Sequence, residues 1–243
     1  MANLRKNNGK VIWMAIQRNS INDLRCSIVR RRLKGRVFIS GTGRAGTSFL
    51  MQLLTELGLD TGYSRDFARD PFKIADEHND RKYFRQARAG FERDPFDDQN
   101  PMIVKCPTLC DNLDDVLSAG IKVGHLIIPV RNIADAAESR RFVQNGFNEN
   151  AADELTPGGL WGTRNLSEQE AVLSEKFGRL IESAVRNEVP MTFLSFPRLA
   201  IDADYTFEKI RFLCPLMHVS EFRRSFSLCS NQSLIHDFGA GRG

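Results

Sequence analysis

The sequence predicts an α/β fold, with a parallel β-sheet flanked by helices on both faces in a single domain. Three observations support this prediction. The 243 residues suffice for one generous domain. Short apolar runs typical of buried strands alternate with longer stretches of helical periodicity. A glycine-rich loop joins the first of these strands to the first of these helices. Such alternation is typical of a parallel sheet covered by helices.

The individual elements follow from local patterns. Short apolar runs predict strands, at 36–41, 102–107, 122–131 and 189–196. Apolar residues three and four positions apart predict helices, at 49–57, 109–119, 133–142, 167–184 and 205–213. Gly58 and Gly120 are expected to end the first two helices, and Asn132 to cap the third. Ser167 and Glu170 have the spacing of a capping box for the fourth.

The first 35 residues form a basic stretch that ends in "RCSIVRRRLKGR". We predict that 1–35 is a solvated N-terminal flank rather than a contact for nucleic acid or a membrane surface, and that the domain spans 36–243. The segment 145–165 is rich in glycine, asparagine and proline and is expected to form a loop or lid.

The composition indicates a soluble globular protein, because 42% of the residues are apolar and 26% are charged. The net charge of +4 suits an anionic ligand but is equally consistent with a mildly basic protein that has no special partner. Five cysteines do not suggest a disulfide framework, and Cys106 and Cys110 form only one pair, so we expect no zinc site. No apolar run approaches 18 residues, so we expect no integral membrane segment and a cytoplasmic location.

The stretch "GTGRAGTSFL", residues 41–50, has the pattern of a phosphate-binding loop and predicts a P-loop domain. Its glycines allow the backbone to curl, so that N–H groups and a helix N-terminus face a phosphate. A standard nucleotide loop has a lysine where this chain has Thr47, and here the cation lies inside the loop, at Arg44.

A second departure lies at the end of the strand "HLIIPVR", which finishes in Arg131. Nucleoside triphosphate hydrolases place an aspartate there, which helps to hold Mg²⁺. An arginine repels a divalent cation and attracts an anion. The two departures together favour a nucleotide that is bound by fixed cations, without a metal.

These residues resemble those of the sulfotransferases that use 3′-phosphoadenosine 5′-phosphosulfate (PAPS), in their bacterial and glycan-modifying branch. The loop resembles the family's 5′-phosphosulfate loop, which runs G-R-S-G-T-S in that branch. The resemblance implies that seven loop residues bind the cofactor: Gly43, Arg44, Ala45, Gly46, Thr47, Ser48 and Phe49. Arg44 takes the position of the loop cation. Phe49 takes the position of an aromatic residue near the adenine, with core packing as the alternative.

The second family signature is a strand that ends in arginine, followed eight residues later by a helical serine. Arg131 and Ser139 have this spacing in "PVRNIADAAESRR", and the resemblance implies that they clasp the 3′-phosphate. About two helical turns separate Ser139 from the start of its helix, which returns it to the same face. "IVKCP" is similar to the family's strand lysine and makes Lys105 a candidate cation at the sulfuryl group. The resemblance covers about residues 36–217.

The chain departs from the family near its end. Cytosolic members carry a late R-K-G-x-x-G-x-W-K segment that closes over the cofactor, and this chain has only "FGAGRG". We therefore expect a cofactor lid from 158–164 instead.

The resemblance implies in-line transfer of a sulfuryl group from PAPS to a hydroxyl or amine, with adenosine 3′,5′-bisphosphate as product and no metal. Arg44 and Lys105 would stabilise the charge on the leaving bisphosphate. Glu77, or else His78, is the candidate general base. We expect a small-molecule or saccharide acceptor and no nucleic acid.

Two alternatives stay open. One is a metal-dependent P-loop kinase or nucleotide hydrolase, which would need Mg²⁺ and an acidic residue near the loop. The other is a catalytically inactive module that binds adenosine 3′,5′-bisphosphate without transferring a group.

Overall fold

The centre of the fold is a sheet of four strands that all run parallel. The computed structural model describes residues 21–69, 90–146 and 158–231. The strands lie in the order β2-β1-β3-β4. Their bounds are β1 Arg36–Ile39, β2 Ile103–Lys105, β3 Val123–Val130 and β4 Met191–Ser195. The predicted α/β fold with a parallel sheet is confirmed, and each strand lies within the apolar run that predicted it.

Helices connect the strands and continue beyond the last of them. Their bounds are α1 21–33, α2 Thr47–Glu56, α3 Arg65–Arg69, α4 Leu109–Ser118, α5 Ile133–Gly146, α6 Gln169–Arg186, α7 Arg198–Ile201, α8 Ala203–Ile210 and α9 Val219–Cys229. Short 3₁₀ turns cover Leu166–Glu168 and Arg211–Leu213.

Both faces of the sheet are covered, as predicted. Successive side chains of a strand point to opposite faces. In β1, Val37 and Ile39 belong to a core shared with α2, α8 and α9, whereas Phe38 belongs to a core shared with α4 and α6. The sheet therefore lies between two apolar layers, one on each face, and these layers hold its strands in place.

Local signals fixed several helix ends as expected. Gly58 and Gly120 follow α2 and α4 with φ values of 78° and 79°, the left-handed conformation that ends many helices. At the start of α5, Asn132 Oδ1 accepts a hydrogen bond from the backbone N–H of Asp135 at 3.3 Å. The predicted asparagine cap is thus present.

The basic stretch before β1 is not a solvated flank throughout. Its part at 21–33 forms α1, in which Val29 is buried in the core beside α2. Arg25 is also buried and donates to both carboxylate oxygens of Glu221 on α9, each at 2.9 Å. This part of the stretch therefore packs with the domain that we predicted to begin at residue 36.

The predicted capping box at Ser167 and Glu170 is wrong. Asn165 is the cap instead, and its Oδ1 accepts from the backbone N–H of Ser167 at 3.0 Å. Glu168 completes the arrangement, because its Oε1 accepts from Asn165 Nδ2 at 3.0 Å. The chain makes a 3₁₀ turn before α6, which moves the cap two residues towards the N-terminus.

Among residues 21–69, 90–146 and 158–231, no helix is both long enough and apolar enough to cross a membrane.

Candidate functional site

The candidate site lies at the carboxyl ends of β1 and β3. The chain leaves β1 for β2 on one side of the sheet, while β3 and β4 extend the other side. Ligands of open parallel sheets bind where the strand order reverses in this way, in the crevice outside the carboxyl ends. The glycine-rich loop follows β1, and Arg131 follows β3, so both lie at this crevice.

The loop between β1 and α2 has the curled backbone that the sequence predicts. Gly41, Gly43 and Gly46 have φ values of 131°, 69° and 86°, and Arg44 has a φ of 54°. A Cβ at Gly46 would make a tight contact, 3.0 Å from Phe196 Cδ2. As the N-cap of α2, Gly46 provides no side-chain cap for the N–H groups of the first turn. These donors and the helix dipole favour an anion.

Arg131 and Ser139 meet at this loop. Ser139 Oγ accepts from Arg44 Nε at 3.1 Å, and Arg131 Nη1 donates to the Arg44 carbonyl oxygen at 3.2 Å. Arg131 is only 8% exposed and Ser139 only 3%. The Arg131 guanidinium also lies over the ring of Phe196, at 5.0 Å from its centroid. A strand end and a helix thus bring both residues to the same loop residue, Arg44.

Lys105 reaches the same loop from β2. Its Nζ donates to Ser48 Oγ at 3.0 Å and to the Gly90 carbonyl oxygen at 2.7 Å. Glu92 lies beside it, with 3.3 Å between Oε1 and Nζ. Burial lowers the pKa of Lys105, and the charges of Arg44 and Arg140 lower it further, against the opposing effect of Glu92. In such buried surroundings, the electrostatic attraction between the Lys105 ammonium and a bound anion is strong.

Two residues of this site were not predicted from the sequence. Arg140 donates to the Thr42 carbonyl oxygen at 2.8 Å, and Glu92 pairs with Lys105. Arg140 directly follows Ser139, but the sequence alone does not show whether Arg140 or its neighbour Arg141 faces the loop. Glu92 is placed by an isolated parallel bridge to Lys105, which no local pattern indicates.

The remaining predicted residues have different outcomes. Ala45 is buried in the loop, and Thr47 is buried at the start of α2. Phe49 packs edge-to-face on Phe226, with centroids 5.4 Å apart, which is the core-packing alternative. Glu77 and His78 lie outside the described residues, so their role as a base stays a prediction.

The cysteines at this end of the sheet are buried thiols. Cys110 Sγ lies 3.5 Å from the Gly41 carbonyl oxygen, directly behind the loop, and burial raises the pKa of this thiol to about 11. Cys106 is also a free, buried thiol. In the part of the chain that the structure describes, no three His, Cys, Asp or Glu side chains are grouped as metal ligands.

The arrangement brings four cationic side chains to one glycine-rich loop: Arg44, Lys105, Arg131 and Arg140. Such a cluster suits a polyanionic ligand. Comparison of the chain with protein-family models, with curated proteins and with solved structures finds no match.

Proposed function

We propose that the protein is a PAPS-dependent sulfotransferase that transfers a sulfuryl group to a hydroxyl or amine of a small-molecule or saccharide acceptor. The observation that carries this proposal is the convergence of Arg131 and Ser139 on Arg44 of the loop. The resemblance in sequence predicted these residues separately, from two stretches about 90 positions apart. Their shared contact with Arg44 supports the proposal.

The residues present fit the cofactor. PAPS carries a phosphosulfate at its 5′ end and a phosphate at its 3′ end, so it needs two groups of cations and hydroxyls. Lys105, Ser48 and the N-terminus of α2 supply the first group. Arg131 and Ser139 supply the second. Arg44 touches the second group and lies in the loop of the first.

When bound, PAPS would supply an activated sulfuryl group with the bisphosphate as its leaving group. Lys105 would hold positive charge where the leaving group becomes more negative, and its burial strengthens this effect. Loss of one such group commonly costs about 2.7–4 kcal/mol of transition-state stabilisation. Ser48, which accepts a hydrogen bond from Lys105, orients that ammonium towards the loop.

Glu92 is a third candidate for the general base, beside Glu77 and His78. Its carboxylate lies 3.3 Å from Lys105 Nζ and is partly exposed, so an acceptor hydroxyl could approach it. A base must lie within hydrogen-bond reach of the proton that it takes. The pairing with Lys105 would hold Glu92 next to the reacting group.

The test is a thermal-shift comparison of adenosine 3′,5′-bisphosphate with ATP plus Mg²⁺. A ligand at 100 times its dissociation constant stabilises the folded state by about 2.7 kcal/mol. For a chain of this size, that corresponds to roughly 5–10 °C. We expect this shift with the bisphosphate, and a much smaller shift in Arg131→Ala. Arg141→Ala is the matched control, because Arg141 lies inside α5 and bonds to Glu138 and the Leu166 carbonyl.

Each alternative has its own outcome. A shift with Mg-ATP alone would contradict the proposal and favour the metal-dependent kinase or hydrolase. A shift with the bisphosphate, but no transfer from labelled PAPS to any member of a panel of sugars, phenols and amines, would favour the inactive module.

A further inference from the structure

Arg140 lies between the glycine-rich loop and a second segment of the chain, residues 159–161. It is 7% exposed. One terminal nitrogen, Nη2, donates to the Thr42 carbonyl oxygen at 2.8 Å. The other, Nη1, donates to the Gly159 carbonyl oxygen at 2.7 Å. The planar guanidinium therefore connects two backbones that are 117 residues apart in sequence (159 − 42).

Residues 159–161 are held by further buried polar side chains. Gln144, one helical turn after Arg140, accepts from the Leu160 N–H at 3.4 Å. Gln169 accepts from the Trp161 N–H at 2.6 Å and donates to the Trp161 carbonyl at 3.2 Å. Buried side chains that satisfy backbone groups in this way fix a segment in one conformation. At residues 159–161, the segment predicted as a lid is therefore held in place by hydrogen bonds to side chains of α5 and α6.

The indole of Trp161 and the backbone of Gly43 lie against the same guanidinium. The Arg140 guanidinium carbon lies 5.0 Å from the centroid of the Trp161 ring, a cation–π contact. On the loop side, a Cβ at Gly43 would lie 2.6 Å from Arg140 Nη2. The absence of a side chain at Gly43 thus allows the guanidinium to reach Thr42.

We infer that Arg140 is a positioning residue: it sets the conformation of the glycine-rich loop and couples it to Trp161. Its importance for PAPS rests on the proposed function, but the coupling itself does not. A lysine cannot replace it, because one ammonium cannot bridge the two carbonyls with the fixed geometry of a guanidinium. A disturbance at Gly43 should therefore be detected at Trp161, and the reverse.

Trp161 fluorescence tests the coupling without any ligand. The chain has two tryptophans, and Trp13→Phe leaves Trp161 as the only tryptophan. In this background we expect Gly43→Ala to change the Trp161 emission, because the new methyl group displaces the guanidinium. Gly46→Ala is the matched control: it also places alanine at a positive φ, but its methyl group meets Phe196 and Leu199 instead. Equal emission changes in the two variants, or none in Gly43→Ala, would overturn the inference.

Hydrogen exchange tests the coupling from the other end. We expect Arg140→Lys to accelerate amide exchange about tenfold or more both at 41–47 and at 159–161, which corresponds to about 1.4 kcal/mol of lost local stability. Arg141→Ala should leave both segments unchanged. Wild-type protection of the loop in Arg140→Lys would contradict the inference. If Arg140→Lys does not fold, the Gly43 and Gly46 comparison still decides the question.

The nucleotide is a separate experiment. If the wild-type protein does not bind adenosine 3′,5′-bisphosphate, the proposed function fails, while the emission and exchange results still stand for or against Arg140. If it does bind, saturating bisphosphate should change the Trp161 emission of the wild type but not that of Arg140→Lys. The same substitution should raise the dissociation constant about tenfold.

Discussion

Replacement of Arg44 by glycine and by alanine gives a direct test of the loop conformation. Arg44 is a non-glycine residue at φ 54°, and its Nε donates to Ser139 Oγ. Both substitutions remove this hydrogen bond, at a cost of about 1 kcal/mol. Only glycine also removes the strain of the left-handed conformation, which costs roughly 1–2 kcal/mol.

Glycine has a cost of its own, because it makes the unfolded chain more flexible by about 0.4–1 kcal/mol. The balance predicts that Arg44→Gly is more stable than Arg44→Ala by roughly 1 kcal/mol. Ordinarily the alanine variant is the more stable of the two, so the predicted order of stability is reversed at this position. At Arg179, an exposed position inside α6, alanine should instead be more stable than glycine, by about 1 kcal/mol.

Urea unfolding measures both pairs of variants. With a denaturant slope of about 2–3 kcal/mol/M, the difference at residue 44 appears as about 0.4 M in the midpoint. The slopes should agree within each pair, so that midpoints report stability. If Arg44→Ala is as stable as Arg44→Gly, the residue does not have the left-handed conformation, and the description of the loop is wrong.

Two further predictions concern buried groups near the loop. Burial lowers the pKa of Lys105 below its value of 10.5 in the unfolded chain. Between the two pKa values the unfolded state binds more protons, so stability from this residue increases with pH there. Lys105→Met lacks this contribution, so urea unfolding at rising pH should show the wild type gaining on the variant; parallel profiles would contradict this. Burial raises the pKa of Cys110 to about 11, so its thiol should react with a thiol reagent at pH 8 only after unfolding. Cys26 and Cys229 are less buried, so peptide mapping must locate the label, and rapid labelling of Cys110 itself in the native protein would be the contrary result.

The sequence was sufficient where a local pattern and the sheet topology act together. Apolar runs located β1 and β3, and their parallel arrangement brings both carboxyl ends to one edge of the sheet. The glycine-rich loop and Arg131 directly follow these ends, so their proximity could be predicted. Ser139 follows by helical spacing alone, since it lies two turns into α5.

The sequence was insufficient where the three-dimensional surroundings decide. The basic composition of α1 gave no indication that the helix packs against the domain. The burial of Val29 and the contact of Arg25 with Glu221 depend on helices that come together only in the fold. Arg140 is positioned by a hydrogen bond to the distant Gly159 carbonyl oxygen, and Glu92 by an isolated bridge to Lys105. None of these contacts leaves a periodic signal in the chain.

The most direct test of the central claim is the contribution of the 3′-phosphate to nucleotide binding. Calorimetry would compare adenosine 3′,5′-bisphosphate with adenosine 5′-monophosphate, in the wild type and in Arg131→Ala. Hydrogen bonds to a charged group contribute about 1.5–3 kcal/mol, so the wild type should bind the bisphosphate roughly 10 to 150 times more tightly than the monophosphate. Arg131→Ala should lose most of this preference. An equal preference in both proteins, or none in the wild type, would show that Arg131 does not hold a 3′-phosphate.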